Sequence, residues 1–257
     1  IFRHKEAHIE HVYTDSDGIS PEAVAEAADR MKAEGKTVKL LYLVTNFANP
    51  SGVTLSEERR DKIIEVCKER GILIVEDNPY GLLYFDNPPP NALRARDEDS
   101  VIYLGSFSKI LSPGLRVGYV LAPPAIREKL VLANESAILS PATFAQMMVS
   151  EYLSICDWQK QIADYRGLYK TKRDAAISAL AEFLPDVQTT KPEGGFFLWV
   201  SLPSGIDGKK MLPIAVEELV AYTPGIAFYG DGRGKENIRI CYSHPTVENV
   251  RVGIQRL

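Results

Sequence analysis

The sequence predicts an α/β protein, a mostly parallel sheet covered by helices on both faces, followed by a smaller α+β region. Three observations predict it. Continuous apolar runs at 38–44, 72–75 and 101–104 alternate with helical segments, as strands buried on both sides do. Each run closes on a polar loop dense in turn-forming residues. Beyond Pro185 the texture changes to strand, helix, strand, helix. The division expected is a large domain over 1–160 and a smaller one over 161–257.

Asp17-Gly18 reads as a turn. Ile19 to Gly35 has helical spacing, with Ser20 as N-cap, Pro21 at the first helical position and Gly35 as the stop. Its apolar stripe is Ala23, Val24, Ala27, Ala28 and Met31. Val38 to Val44 is a strand broken only by Lys39, leading into the loop Thr45 to Gly52. Ser56 caps the next helix, Glu57 and Glu58 complement its dipole, and Gly71 ends it. Ile72 to Val75 is a short buried strand that closes on Glu76-Asp77-Asn78-Pro79-Tyr80. Pro88-Pro89-Pro90 makes a surface loop.

Ser100 to Gly105 is the next strand, and Arg116 to Ala122 a further apolar run. Pro123-Pro124 opens a helix through Asn134, and Ser140-Pro141 one to about Ile155. A long helix spans Trp158 to Phe183, with Ile162, Tyr165, Leu168, Tyr169, Ala176, Ile177 and Leu180 near one face. Gly194 to Leu202 alternates as a strand, Lys209 to Tyr222 is helical, Ile238 to Tyr242 is a strand and Thr246 to Leu257 a helix.

Composition excludes several functions. A net charge of -4 leaves no basic footprint for nucleic acid or an anionic membrane. No apolar run approaches the roughly 20 residues of a membrane span. Cys67, Cys156 and Cys241, odd in number and in apolar surroundings, read as reduced core residues of a cytoplasmic protein. Trp199 reads as core too. His4, His8 and His11 read as a solvated, amphipathic or irregular segment, so no metal site is expected.

The chemistry concentrates at strand ends. Ligands of parallel sheets sit outside the carboxyl ends of the strands, which places Asn49, Asp77 and Lys109 on one edge. Lys109 lies in Gly105-Ser106-Phe107-Ser108-Lys109, where a partly desolvated amine would be a nucleophile and Ser106, Ser108 and Arg116 would hold an anion. A solvated loop lysine fits the same stretch.

Asn49-Pro50-Ser51-Gly52, Asp77 with Tyr80, Ser106-Phe107-Ser108-Lys109, Pro113-Gly114-Leu115-Arg116 and Arg239 together resemble the fold-type I pyridoxal-phosphate enzymes. The likeness is to class I/II aminotransferases, in the aromatic, branched-chain and 2-aminoadipate group. Pro192-Glu193-Gly194-Gly195-Phe196-Phe197 and Thr223-Pro224-Gly225-Ile226-Ala227-Phe228-Tyr229 carry it through the rest of the chain. The resemblance implies a three-layer sheet domain that binds pyridoxal 5'-phosphate, and ping-pong transamination between an L-amino acid and a 2-oxo acid.

It implies Lys109 as the residue of the internal aldimine and then the base, Asp77 as partner of the pyridine nitrogen, and Asn49 and Tyr80 on the ring's 3′-oxygen. Ser106, Ser108 and Arg116 match the phosphate-holding positions. Arg239 matches the residue that grips the substrate α-carboxylate, with Asn49 beside it. A homodimer is expected. Ile1 lies past the family's N-terminal portion, so the chain is expected to be part of a longer one. Two other readings belong to the same fold: another pyridoxal-phosphate reaction such as β-elimination, and the sensor domain of a transcriptional regulator whose DNA-binding domain precedes Ile1.

Overall fold

The computed structural model describes residues 6–257 of the chain, and His4 of the histidine group lies outside them. The first elements are a two-rung hairpin, β1 (Thr14–Asp15) and β2 (Gly18–Ile19), around the Asp17-Gly18 turn. Helix α1 (Pro21–Ala33) follows, its first turn capped where Ser20 Oγ accepts from Ala23 N at 3.2 Å. Then come β3 (Leu40–Val44), α2 (Glu57–Glu69), β4 (Leu73–Asp77), a single turn α3 (Leu93–Arg96) and β5 (Val101–Ser106). The strands β3, β4 and β5 lie side by side and parallel, with Val44 opposite Asp77 and Asp77 opposite Leu104.

The α/β architecture follows from these pairings. One face of the sheet, carrying Leu43, Ile74 and Val101, is buried under Val24 and Ala28 of α1 and Ile63, Ile64 and Cys67 of α2. The apolar run at 116–122 departs from expectation. It yields only β6 (Gly118–Leu121), which pairs antiparallel to β5 and is exposed along its length. The connection, residues 107–117, holds only turns and a single 3₁₀ segment at Pro113–Leu115, with no helix to cross over the sheet as a parallel return needs.

Helix α4 (Pro124–Ile138) runs four residues past its expected end and buries none of its side chains. Helix α5 (Thr143–Ile155) buries Val149. The 26-residue α6 (Trp158–Phe183) spans the expected range. Beyond it, β7 (Gln188–Thr189), β8 (Phe197–Ser201), α7 (Gly208–Glu217), β9 (Thr223–Pro224), β10 (Asn237–Cys241) and α8 (Val247–Arg256) complete the fold. The strands form a second, antiparallel sheet in the order β7-β8-β10-β9. Its inner face packs Leu198, Val200 and Ile238 against Ala176, Ala179 and Leu180 of α6 and Val250 and Ile254 of α8. Helix α7 stops at Glu217, short of the expected Tyr222, where Leu219 takes a left-handed φ of 62° that ends the helical run.

Two of the three cysteines are not core residues. Cys67 is buried, but Cys156 is exposed at the end of α5, and Cys241 is exposed on β10. Alternation explains Cys241. Ile238, Ile240 and Tyr242 face the α6–α8 core, so Arg239 and Cys241 face the other way. Trp199 is half-buried, packed edge-on against Phe228 at 5.6 Å. His8 is exposed, and His11 Nε2 accepts from Gly230 N at 3.0 Å.

Candidate active site

Glu76 and Asp77 are neighbours in sequence and serve opposite faces of the sheet, because strand side chains alternate. Glu76 points under the helices and is fully buried. Its carboxylate accepts from Thr45 Oγ1 at 2.9 Å and Arg94 N at 3.0 Å, with Arg60 Nη1 at 3.9 Å. Arg60, also fully buried, donates to Leu55 O at 3.1 Å, Asn91 O at 3.0 Å and Asn46 Oδ1 at 2.8 Å. Burial pulls its pKa down to about 10 and Glu76 opposes the fall, so it stays cationic at neutral pH. Asn46 Nδ2 donates to Asn78 Oδ1 at 3.0 Å, and Asn78 Nδ2 to the Tyr103 hydroxyl at 3.1 Å. A polar chain thus crosses the carboxyl ends of β3, β4 and β5.

Asp77 lies on the opposite face, half-buried at the end of β4. Its Oδ2 accepts from the Tyr42 hydroxyl at 2.6 Å. Tyr80, three residues on, is buried, with Phe196 and Phe197 edge-on at 5.7 and 5.9 Å. Burial pushes its hydroxyl up to about 12, against the pull of Arg239, so it is a neutral donor at physiological pH.

The loop after β3 is a tight turn in which Gly52 N donates to Ala48 O at 2.6 Å and Ala48 N to Val53 O at 2.9 Å. It presents Asn49, exposed and preceding a cis Pro50, to the second sheet. There Arg239 of β10 donates from Nη1 to Asn49 Oδ1 at 2.7 Å and from Nη2 to Thr223 Oγ1 at 3.0 Å. Its guanidinium lies 4.2 Å from the Phe197 ring centre and 5.1 Å from that of Phe228. The Nε atom is buried and has no partner among the described residues. Burial lowers the Arg239 pKa, and the group remains charged.

The third strand end carries the lysine. Beyond β5 the chain winds into a turn in which Ser108 N donates to Ser106 Oγ at 3.1 Å and Leu111 N to Phe107 O at 2.9 Å. Ser106, Ser108 and Lys109 are half-buried. Arg116 is exposed, with a left-handed φ of 55° and Nη1 donating to Pro113 O at 3.3 Å. The structure therefore brings Asn49 to Arg239 directly and sets Asp77, Tyr80 and Ser106 at neighbouring strand ends. Among the described residues no hydrogen bond or ion pair joins Lys109 or Arg116 to that group. Tyr42, Thr223, Phe197 and Phe228 touch the site and were not among the sequence candidates. The only sequence signal for Tyr42 is its position two residues before the strand end, on the face of Val44.

The family described as aminotransferase class I and II matches residues 2–257. The chain belongs to this family, and its fold is the fold type I of pyridoxal-phosphate enzymes. Aromatic-amino-acid aminotransferase 1 of Thermococcus litoralis is 41% identical over 100% of this chain and 62% of its own length. An HTH-type transcriptional regulator of Bacillus subtilis, YisV, is 33% identical over 84% of this chain and 45% of its own. The crystal structure of Pyrococcus horikoshii kynurenine aminotransferase with PMP superposes with a TM-score of 0.91 at 41% identity, over 95% of this chain and 61% of that one. The chain thus spans less than two thirds of the length of these relatives.

Proposed function

We propose that this protein is a pyridoxal-phosphate-dependent aminotransferase that moves an amino group between an L-amino acid and a 2-oxo acid by a ping-pong route. The observation that carries this reading is Arg239. A desolvated guanidinium reaches from the second sheet to Asn49 at the edge of the first and keeps a buried Nε–H unpartnered among the described residues. An unsatisfied buried donor on a cation fits the carboxylate of an incoming amino acid.

The donor set also fits the cofactor. Asp77 has one oxygen held by Tyr42 and no further hydrogen-bond donor among the described residues, leaving Oδ1 for the N–H of a pyridine ring. Because Asn49 Oδ1 is taken by Arg239, its amide NH₂ is left to donate. Asn49 and the neutral Tyr80 hydroxyl would then donate to the ring oxygen. Ser106, Ser108 and Arg116 would take the phosphate, Arg116 offering a planar fork.

Bound pyridoxal phosphate supplies the electron sink for charge left on the substrate α-carbon. Lys109 Nζ would hold the cofactor and would be the group that takes up and returns the proton of the substrate α-carbon. Asp77 would pair with the ring nitrogen. Residues 1–160 form the cofactor-binding part and 161–257 the smaller domain in this reading, and the protein acts as a cytoplasmic homodimer.

The test uses the full chain with added pyridoxal phosphate. A visible absorbance band in the unchanged protein, lost in Lys109→Ala, together with amino transfer from a panel of L-amino acids to 2-oxoglutarate, is expected. A folded full chain with no band overturns the reading. Release of pyruvate without amino transfer points to β-elimination instead. The likeness to the B. subtilis regulator supports a second reading, a cofactor-sensing domain, which requires the band without turnover of any donor.

A further inference from the structure

Tyr42 touches the cofactor-facing carboxylate without lying at a strand end itself. The register pairs Val44 with Asp77 and Tyr42 with Val75, so Tyr42, Val44, Val75 and Asp77 share one face of the sheet. Long side chains on a strand lean along it, and Tyr42 reaches its neighbour's end. Its hydroxyl stands 2.6 Å from Asp77 Oδ2, at the short, charge-assisted end of the O–H···O range.

We propose that Tyr42 is a positioning residue for Asp77, its hydroxyl fixing one carboxylate oxygen so that the other meets the cofactor's ring nitrogen. The inference rests on the aminotransferase reading above. Among the described residues Tyr42 is the only hydrogen-bond donor to that carboxylate. By contrast, Glu76 on the other face is fixed by Thr45 and Arg94. Without Tyr42, then, the Asp77 carboxylate would be free to turn about its side-chain torsion in a half-open site. Burial and the neighbouring carboxylate raise the Tyr42 pKa, so the hydroxyl remains a donor throughout the working range. Tyr80 lies near the same carboxylate but makes no hydrogen bond to it.

Tyr42→Phe keeps the ring and removes only the donor, and Tyr42 is 43% exposed, so the fold tolerates the change. The test is a double-mutant cycle on the full chain, with the dissociation constant of pyridoxal phosphate read by fluorescence quenching. Tyr42→Phe is expected to weaken binding about tenfold when Asp77 is present, the size of one hydrogen bond to an ionised group. In the Asp77→Ala background the same change is expected to weaken it less than about twofold, because Tyr42 acts through Asp77. Equal losses in both backgrounds assign Tyr42 a merely structural role and overturn the inference, as does unchanged affinity in Tyr42→Phe. If the unchanged protein binds no pyridoxal phosphate, the functional reading falls and takes the inference with it. Binding by the unchanged protein separates that failure from the other two.

Discussion

Arg239 holds its charge between the Phe197 and Phe228 rings, with one nitrogen on Asn49 and another on Thr223. Arg239→Lys keeps a cation and loses the fork. The expected outcome is a KM for the amino donor raised about 10- to 100-fold, the worth of one charged hydrogen bond or slightly more, with the cofactor absorbance retained. Steady-state kinetics beside an absorbance spectrum check it; an unchanged KM would remove Arg239 from substrate binding. Asp97 offers a pH test away from the site. Burial alone would raise its carboxyl, but the Ser100 hydroxyl, Lys68 Nζ at 2.9 Å and the Asp99 amide outweigh that and hold it at about 2. The folded pKa lies below the unfolded value of about 3.9. Asp97 therefore stabilises the fold fully above about pH 4, and the contribution disappears as the pH falls toward 2. Asp97→Asn should lower the urea midpoint at pH 7, with the gap to the parent closing below pH 4. At this scale the strand-end placement of Asn49, Asp77 and Lys109 was legible because each follows an apolar run that is visibly a strand. Tyr42 and Thr223 were hidden because their contacts cross between strands, and register and strand order leave no local trace.

The helices show which local rules are sufficient by themselves. Ser20 and Ser56 both read as N-caps, yet only Ser20 accepts a backbone hydrogen bond, from Ala23 N, while the Ser56 side chain makes no cap bond. Ser20→Ala should cost about 1 kcal/mol of unfolding free energy and Ser56→Ala a few tenths at most. Chemical denaturation of the pair measures the difference, and equal losses would mean that the hydroxyl of Ser20 is not acting as a cap. The same contrast marks what was legible in the elements. Helices α1, α2 and α6 read with bounds close to those observed, from a cap residue and a glycine stop in α1 and α2 and a one-sided apolar stripe in α1 and α6. β6 reads in the sequence as a longer run of unspecified direction, since hydrophobicity says nothing about which way a strand runs. Cys241 reads as core because its neighbours are apolar, although alternation on β10 puts it beside Arg239.

The two sheets meet where the chain has no side chain to spare. Phe47, in the loop after β3, and Tyr80 and Leu83, after β4, pack with Phe196 and Phe197 at the entry to β8. Gly194 sits in that seam, bridged to Tyr84 and followed by Gly195 N donating to Leu83 O at 3.0 Å. A Cβ on Gly194 would stand 2.6 Å from both Leu83 O and the Phe47 ring. Neither neighbour can yield easily, since one is backbone and the other is 2% exposed. The Tyr242 hydroxyl, donating to Gly195 O at 3.0 Å, ties the same turn to β10 and so to the strand that carries Arg239. Gly194→Ala should therefore destabilise by about 2 to 3 kcal/mol through overpacking. It should also weaken amino-donor binding, because the strand bearing Arg239 is moved away from Asn49. Gly167, exposed within α6 with nothing inside 4 Å of its would-be Cβ, is the control. Gly167→Ala should stabilise by about 0.5 to 1 kcal/mol and leave binding alone. Denaturant midpoints and donor KM for the two variants test the seam. If Gly194→Ala lowers stability while KM stays at the parent value, the seam supports the fold without setting the distance from Arg239 to Asn49.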